Sequence, residues 1–446
     1  MTEQLIRPQY YSNRQILRMV FPLILSLMIE QLIGFTDVVF LGRVGEVELG
    51  ASALAGVMYL ALIMFGFGYS FSLQAYLGQK NGEKNYLAIG EALHNGSLFL
   101  LALATLMMVI AFTCAPPFFE KLCDSPEIAK ASEDYLFWRA VGMPFTFLCA
   151  NFRAFFIAIL RPKILTLGSV VMVLANIVFN YVLIFGMGPI PALGIAGAAI
   201  ASSIAEGLCL VVYVIYAMKF ANPERYGLLR PFEWSWPIQV KLFKLGRWLM
   251  LQEGLAFTAW LYFFLSVEHL GATALAVSNV VRQISSLFFL FIHSFGSTAG
   301  AISANLIGER RFDEIPSVCR RTLGICALVI APFFIGVSLF PKEVLGIFTN
   351  IEGIIDNGVP VLYMLLSSLL VAIPAMFYNF AMGAMGLTKE TSTASMTAAT
   401  LYVLYIVLLN WAHANITLMW SSEYAYNIVI GVVCAYFFRQ RRWRIV

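Results

Sequence analysis

Two acids stand inside an otherwise apolar run near the start of the chain. Residues 22–45 read PLILSLMIEQLIGFTDVVFLGRVG and carry Glu30 and Asp37. A helix places these acids, seven positions apart, on one face about 10 Å from each other along the axis. A carboxylate at the centre of a bilayer costs about 2.5–3.5 kcal/mol on insertion scales. Two on one face point to a polar cavity rather than to lipid contact. Further charges interrupt apolar runs at Arg153, Glu206, Glu253 and Arg282. In such surroundings a charge has three uses: taking up a coupling cation, meeting a substrate's charge, or pairing with another side chain.

The elements that must position these groups are membrane helices. The 446 residues are 60% hydrophobic and 12% charged, about half the charged share of a soluble domain, with mean hydropathy +0.81. Twelve spans are predicted, over 16–41, 50–77, 89–115, 133–160, 165–187, 194–218, 244–267, 273–306, 318–340, 357–386, 392–411 and 416–438. Most of the 29 lysines and arginines fall in alternate connectors, among them Lys80, Lys84, Arg161, Lys163, Arg310, Arg311 and Arg439. That asymmetry predicts a multi-pass protein of the plasma (inner) membrane with both termini cytoplasmic. The net charge of +4 implies no nucleic-acid partner, because the basic residues are dispersed over short connectors. The seven cysteines lack metal-site spacing and read as packing residues.

The longest predicted inner connector holds three prolines and divides the chain into residues 1–220, a linker 221–243, and residues 244–446. The halves align at a constant offset of 226: Gly45 with Gly271, Ser52 with Ser278, and Gln79–Lys84 with Asn305–Arg310. Each half holds six spans, so the two insert in the same orientation, related by an axis along the membrane normal. The fold class expected is all-α, with twelve transmembrane helices in two pseudo-symmetric six-helix bundles.

Several motifs resemble the multidrug and toxic compound extrusion (MATE) transporters over essentially the whole chain. They are Pro22 with Asp37-Val-Val-Phe-Leu-Gly42, Gln79-Lys-Asn-Gly82, Gly142-Met-Pro-Phe145, Asn176-Ile-Val-Phe-Asn180, and the small-residue run from Pro191 to Ser202. The resemblance implies two bundles forming a V and export of mostly cationic amphipathic drugs in exchange for Na⁺ or H⁺. At the matching positions it implies a cation site of Asp37, Asn176, Asn180, Ala198 and Ser202. Asn176 and Asn180 share one helical face, as do Ala198 and Ser202. A carboxylate, amide and hydroxyl oxygens and a backbone carbonyl suit a hard cation, so Na⁺ at Asp37, Asn176 and Asn180 stands beside H⁺. Some relatives carry a second acid where this chain has Asn180.

The remaining charges are assigned as follows. Glu30, Glu206, Glu253, Tyr378 and Asn379 are candidates for a substrate or proton path. Arg153 and Arg282, read as the intramembrane cations, are expected in structural ion pairs, Arg153 with Glu30 and Arg282 with Glu253. No acid occurs in the span-ten segment PAMFYNFAMGAMG, which favours coupling through the N-terminal bundle.

The function expected is a cation-coupled (H⁺ or Na⁺) antiporter that exports amphipathic, cationic drugs or toxic metabolites by alternating access. It acts as a monomer on small molecules in the bilayer, with no cofactor beyond the coupling ion. The alternative is a flippase for lipid or lipid-linked oligosaccharide, which would require a strongly cationic cavity. An enzyme is not expected: the chain has no nucleotide-binding or zinc-protease motif, and Glu30 and Asp37 are too far apart to act on one bond.

Overall fold

A computed structural model describes residues 11–123, 125–231 and 233–444. Twelve long helices run through the described residues: Asn13–Leu41, Glu46–Gly82, Tyr86–Leu122, Pro126–Ala158, Lys163–Phe185 and Gly194–Phe220, then Trp236–Glu268, Ala272–Gly308, Ile315–Leu339, Glu352–Met385, Thr388–Trp411 and Ser422–Arg439. They are numbered here as spans one to twelve. The first eleven are long and apolar enough to cross a bilayer. Span twelve has 18 residues, and polar side chains fill its first turns, from Glu423 to Asn427. It packs against spans ten and eleven.

Local chemistry sets the helix starts. Ser12 caps span one in a reciprocal box with Gln15, at 3.3 Å and 2.8 Å. Spans four, seven and nine begin with a proline in the first turn, where the missing N–H has no helical partner to lose. Span four starts at Pro126, well before the predicted 133, which carries Arg139 deeper into the helix than the sequence pattern implies.

Two buried apolar clusters form the interior. One draws mainly on spans one to six, joined by Leu242 and Ala301 of spans seven and eight, and the other mainly on spans seven to twelve. The first turns of span one are an exception: Ile16, Met19, Val20 and Ile24 pack into the second cluster. The internal repeat is visible in the backbone. Lys84 and Arg310 both take left-handed φ of 59°, and Leu160 and Gly386 take 61° and 105°, each pair at the offset of 226.

The repeat also closes one side of the molecule. A Cβ on Gly82 would lie 2.0 Å from the carbonyl oxygen of Asn305, and one on Gly308 would lie 2.1 Å from that of Gln79. Gln79 and Asn305 are themselves equivalent positions, as are the two glycines, so the contact is made twice around the pseudo-axis. Asn81 donates to Asn305 at 2.6 Å, Asn305 to the Ala158 carbonyl at 2.9 Å, and Gln79 to the Met385 carbonyl at 2.7 Å. Spans two and eight therefore lock backbone to backbone on the side where span one begins. Among the described residues, hydrogen bonds between the halves lie towards that side, the deepest being Gln74 to Ser297 at 3.3 Å.

Candidate functional site

Asp37 lies one turn before the end of span one, and spans five and six bring three donors to it. The Asn180 amide donates to Oδ1 at 2.6 Å, the Asn176 amide to the same oxygen at 3.2 Å, and the Ser202 hydroxyl to Oδ2 at 3.1 Å. The set is internally bonded. Asn176 also donates to Ser202 at 3.0 Å, and Asn180 donates to Asn176 Oδ1 at 3.1 Å. Both asparagines are fully buried and Ser202 nearly so, whereas Asp37 keeps part of its surface accessible. Three charge-assisted hydrogen bonds thus fix the orientation of a carboxylate that is only partly covered.

Thr36, absent from the sequence-based set, completes this network. Its hydroxyl has one proton to share between Asn176 Oδ1 at 2.9 Å and the Ile33 carbonyl at 2.8 Å. The bond to Asn176 occupies the amide oxygen and turns the Asn176 NH₂ towards Asp37. Asn180 Oδ1 is buried with no partner. An uncommitted amide oxygen beside a carboxylate and a hydroxyl fits a small hard cation. Ala198 is buried one turn before Ser202, but among the described residues no polar contact ties its carbonyl to the cluster.

Glu30 occupies a different site on the same span. It forms an ion pair with Arg153 of span four and accepts from Ser169 at 2.7 Å and Ser26 at 3.1 Å. Glu206 is paired as well, with a partner the sequence reading missed. Arg139 of span four meets Glu206 Oε1 at 2.9 Å, and Thr146 donates to Oε2 at 2.5 Å. The Arg139 guanidinium also stacks 4.1 Å from the Tyr59 ring centroid, lies within electrostatic range of Asp37, and leaves Nη1 buried without a partner. The expectation that only Arg153 and Arg282 are intramembrane cations is thus corrected.

The expected Glu253–Arg282 pair does not form. On ideal helices Glu253 sits about 22 Å from the C-terminal end of span seven, and Arg282 about 15 Å from the adjoining N-terminal end of span eight. Their heads diverge further, because Arg282 reaches to Trp260 and Phe264, 5.7 Å and 5.8 Å from the ring centroids. Asn379 lies apart from both charges, among spans ten to twelve. It is buried, donating to Ser395 at 3.2 Å with the Cys434 thiol 3.8 Å from its Oδ1. Tyr378 packs its ring on Phe438, 4.8 Å between centroids. Both belong to the packing of spans ten to twelve.

An all-helical membrane body with a partly accessible carboxylate, tied to two neighbouring helices, points to the class: a polytopic transporter rather than an enzyme. The chain belongs to the MatE family, whose model matches residues 22–182 and again 255–411. Two successive matches to one model are the repeat seen from outside. Curated relatives include the probable multidrug resistance protein NorM of Photorhabdus laumondii, 23% identical over 362 residues (79% of this chain, 77% of that protein). NorM of Synechocystis is 26% identical over 345 residues, 76% of this chain and 74% of its own length. Among solved structures, the eukaryotic MATE transporter AtDTX14 superposes with a TM-score of 0.86 at 16% identity, covering 97% of this chain and 96% of its own. A MATE transporter in its straight conformation gives 0.84 at 16% identity, over 97% and 96%.

Proposed function

We propose that this transporter exports amphipathic drugs or toxic metabolites in exchange for H⁺ or Na⁺, with Asp37 as the group that takes up the coupling cation. The observation that carries the reading is the Asp37 carboxylate, accepting from Asn176, Asn180 and Ser202 while part of it stays accessible. Hydrogen bonds to a charged group contribute about 1.5–3 kcal/mol each, roughly twice those to a neutral one. Neutralising Asp37 with a cation therefore weakens the ties from span one to spans five and six. Pro22 leaves a carbonyl of span one without its helical partner, so that span can bend there.

Residues 1–220 and 244–446 act as the two moving units, joined by the linker 221–243, and the protein works as a monomer. With both termini cytoplasmic in a bacterial-type inner membrane, the Gly82–Asn305 and Gly308–Gln79 contacts close the cytoplasmic side, so this is an outward-facing state. One elementary charge falling through 100 mV supplies about 2.3 kcal/mol, enough for roughly a 50-fold substrate gradient. One coupling site suffices. The flippase alternative is disfavoured because Arg153 and Arg139 are matched by Glu30 and Glu206, leaving no net positive wall in the N-terminal half.

The test is drug counterflow in proteoliposomes under a pH gradient or a Na⁺ gradient imposed separately. Asp37→Asn is expected to abolish gradient-driven exchange while reconstituting at wild-type density. Full exchange by that variant would overturn the assignment.

A further inference from the structure

Besides Glu423 of span twelve, the C-terminal half carries two charges within its spans that the coupling mechanism does not use, Glu253 and Arg282. Glu253 and Arg282 each lack an ion-pair partner among the described residues. Glu253 lies within electrostatic range of the Tyr426 hydroxyl, and Arg282 Nε is buried without a partner among the described residues. The side chains between them are not random. Glu253, Phe257, Trp260 and Phe264 follow helical spacing along one face of span seven. Their rings form a continuous ladder, with centroids 5.8 Å apart for Phe257–Trp260 and 4.8 Å for Trp260–Phe264. Arg282 stands over the last two rings, so the ladder has an acid at one end and a guanidinium at the other. All five residues are partly accessible. The ladder starts beside Gly254, where span seven leans on Phe65 of span two at the seam between the halves.

We propose that this ladder is a substrate subsite for zwitterionic aromatic amphipaths, with the ligand's anionic group on Arg282, its rings on Phe257 and Trp260, and its amine towards Glu253. This deepens the transport reading and rests on it. The two unmatched charges are the physical argument. Each is costly inside a bilayer until a counter-charge arrives, and the helix sets Glu253 and Trp260 about 10 Å apart. A rigid molecule with charges at opposite ends answers both at once, and its rings cover the ladder. A purely cationic ligand leaves Arg282 unmatched and brings a like charge towards it. This chain is therefore selective among amphipaths, favouring those that carry an acid as well as an amine.

The test uses aminomethyl-biphenyl-carboxylic acid, a rod with the two charges at its ends, together with its methyl ester and its N-acetyl derivative. Binding to the purified full-length transporter in nanodiscs is measured by titration calorimetry. The wild type is expected to bind the zwitterion at least ten-fold tighter than either derivative. Arg282→Gln should lose that preference over the ester while binding the ester as before, Arg282→Lys should retain most of it, and Glu253→Gln should lose the preference over the N-acetyl acid. Equal affinity of the wild type for zwitterion and ester overturns the proposal, as does failure of the wild type to bind the zwitterion. So does a loss in Arg282→Gln that falls equally on all three ligands. Asp37→Asn should bind the zwitterion like wild type. Counterflow by that variant would defeat the coupling assignment alone, whereas unselective binding would defeat the subsite alone.

Discussion

Thr36, together with Asn180, sets which way the Asn176 amide faces. Its hydroxyl holds Asn176 Oδ1 at 2.9 Å, so the NH₂ end is presented to Asp37 and Ser202. Thr36→Val removes one hydrogen bond of about 1 kcal/mol. Counterflow is expected to fall about five-fold with expression unchanged, and Thr36→Ser to restore it. The Arg139–Glu206 pair makes a second test at this scale. Both side chains are largely buried, at 11% and 16% exposure, so breaking the pair from one side strands a charge. Glu206→Leu should destabilise by about 3–5 kcal/mol. It is read as a lowered melting temperature in detergent. The double variant Arg139→Met with Glu206→Leu should recover most of the loss, because replacing both partners removes the buried charge altogether.

Among the elements, spans two and eight carry the closure. Gly82 and Gly308 touch the backbone of the opposite span, not a side chain that could swing away. Any Cβ at Gly82 must therefore push the two ends apart. Gly82→Val is expected to prevent closure on this side. Spin labels on the equivalent residues Glu83 and Glu309, measured by double electron–electron resonance, should report a longer distance than in the parent labelled protein. Counterflow should be lost. An unchanged distance would show that the close approach is not what holds this side shut.

For the whole molecule, the open point of topology is span twelve, the shortest of the long helices and polar in its first turns. A fluorescent protein fused after Val446 should be bright, and alkaline phosphatase fused after Trp411 should be active. That combination places Trp411 outside and the C-terminus in the cytoplasm. A dark C-terminal fusion would reduce the count to eleven spans and reverse the orientation of the basic tail. The proposed movement of the halves as units is supported by their packing. Each has its own apolar cluster, but the first turns of span one belong to the second one. Span one thus bridges the halves, and the carboxylate proposed for coupling sits near the far end of that bridge.

The sequence by itself determined the long apolar helices, the repeat and the place of Asp37 within one of those helices. A bilayer leaves backbone groups no partner outside the helix, so each crossing must be a long apolar run, and an acid within one stands out by its cost. The offset of 226 was legible because two copies of one unit keep the same turn geometry, as the left-handed Lys84 and Arg310 show. The set of Asn176, Asn180 and Ser202 was legible because i and i+4 positions share a face and the family motifs marked them. Which charge meets which was a matter for the tertiary structure alone. A side chain's partner depends on helix rotation, depth and tilt, and none of these has a local signature. Arg139 was overlooked because span four starts seven residues earlier than its apolar pattern implies. Glu253 and Arg282 were paired on spacing, yet a depth difference of about 7 Å on two antiparallel helices was enough to separate them. Thr36 carried no signal of its own, since only the packing of spans one and five brings its hydroxyl to the amide that orients the site.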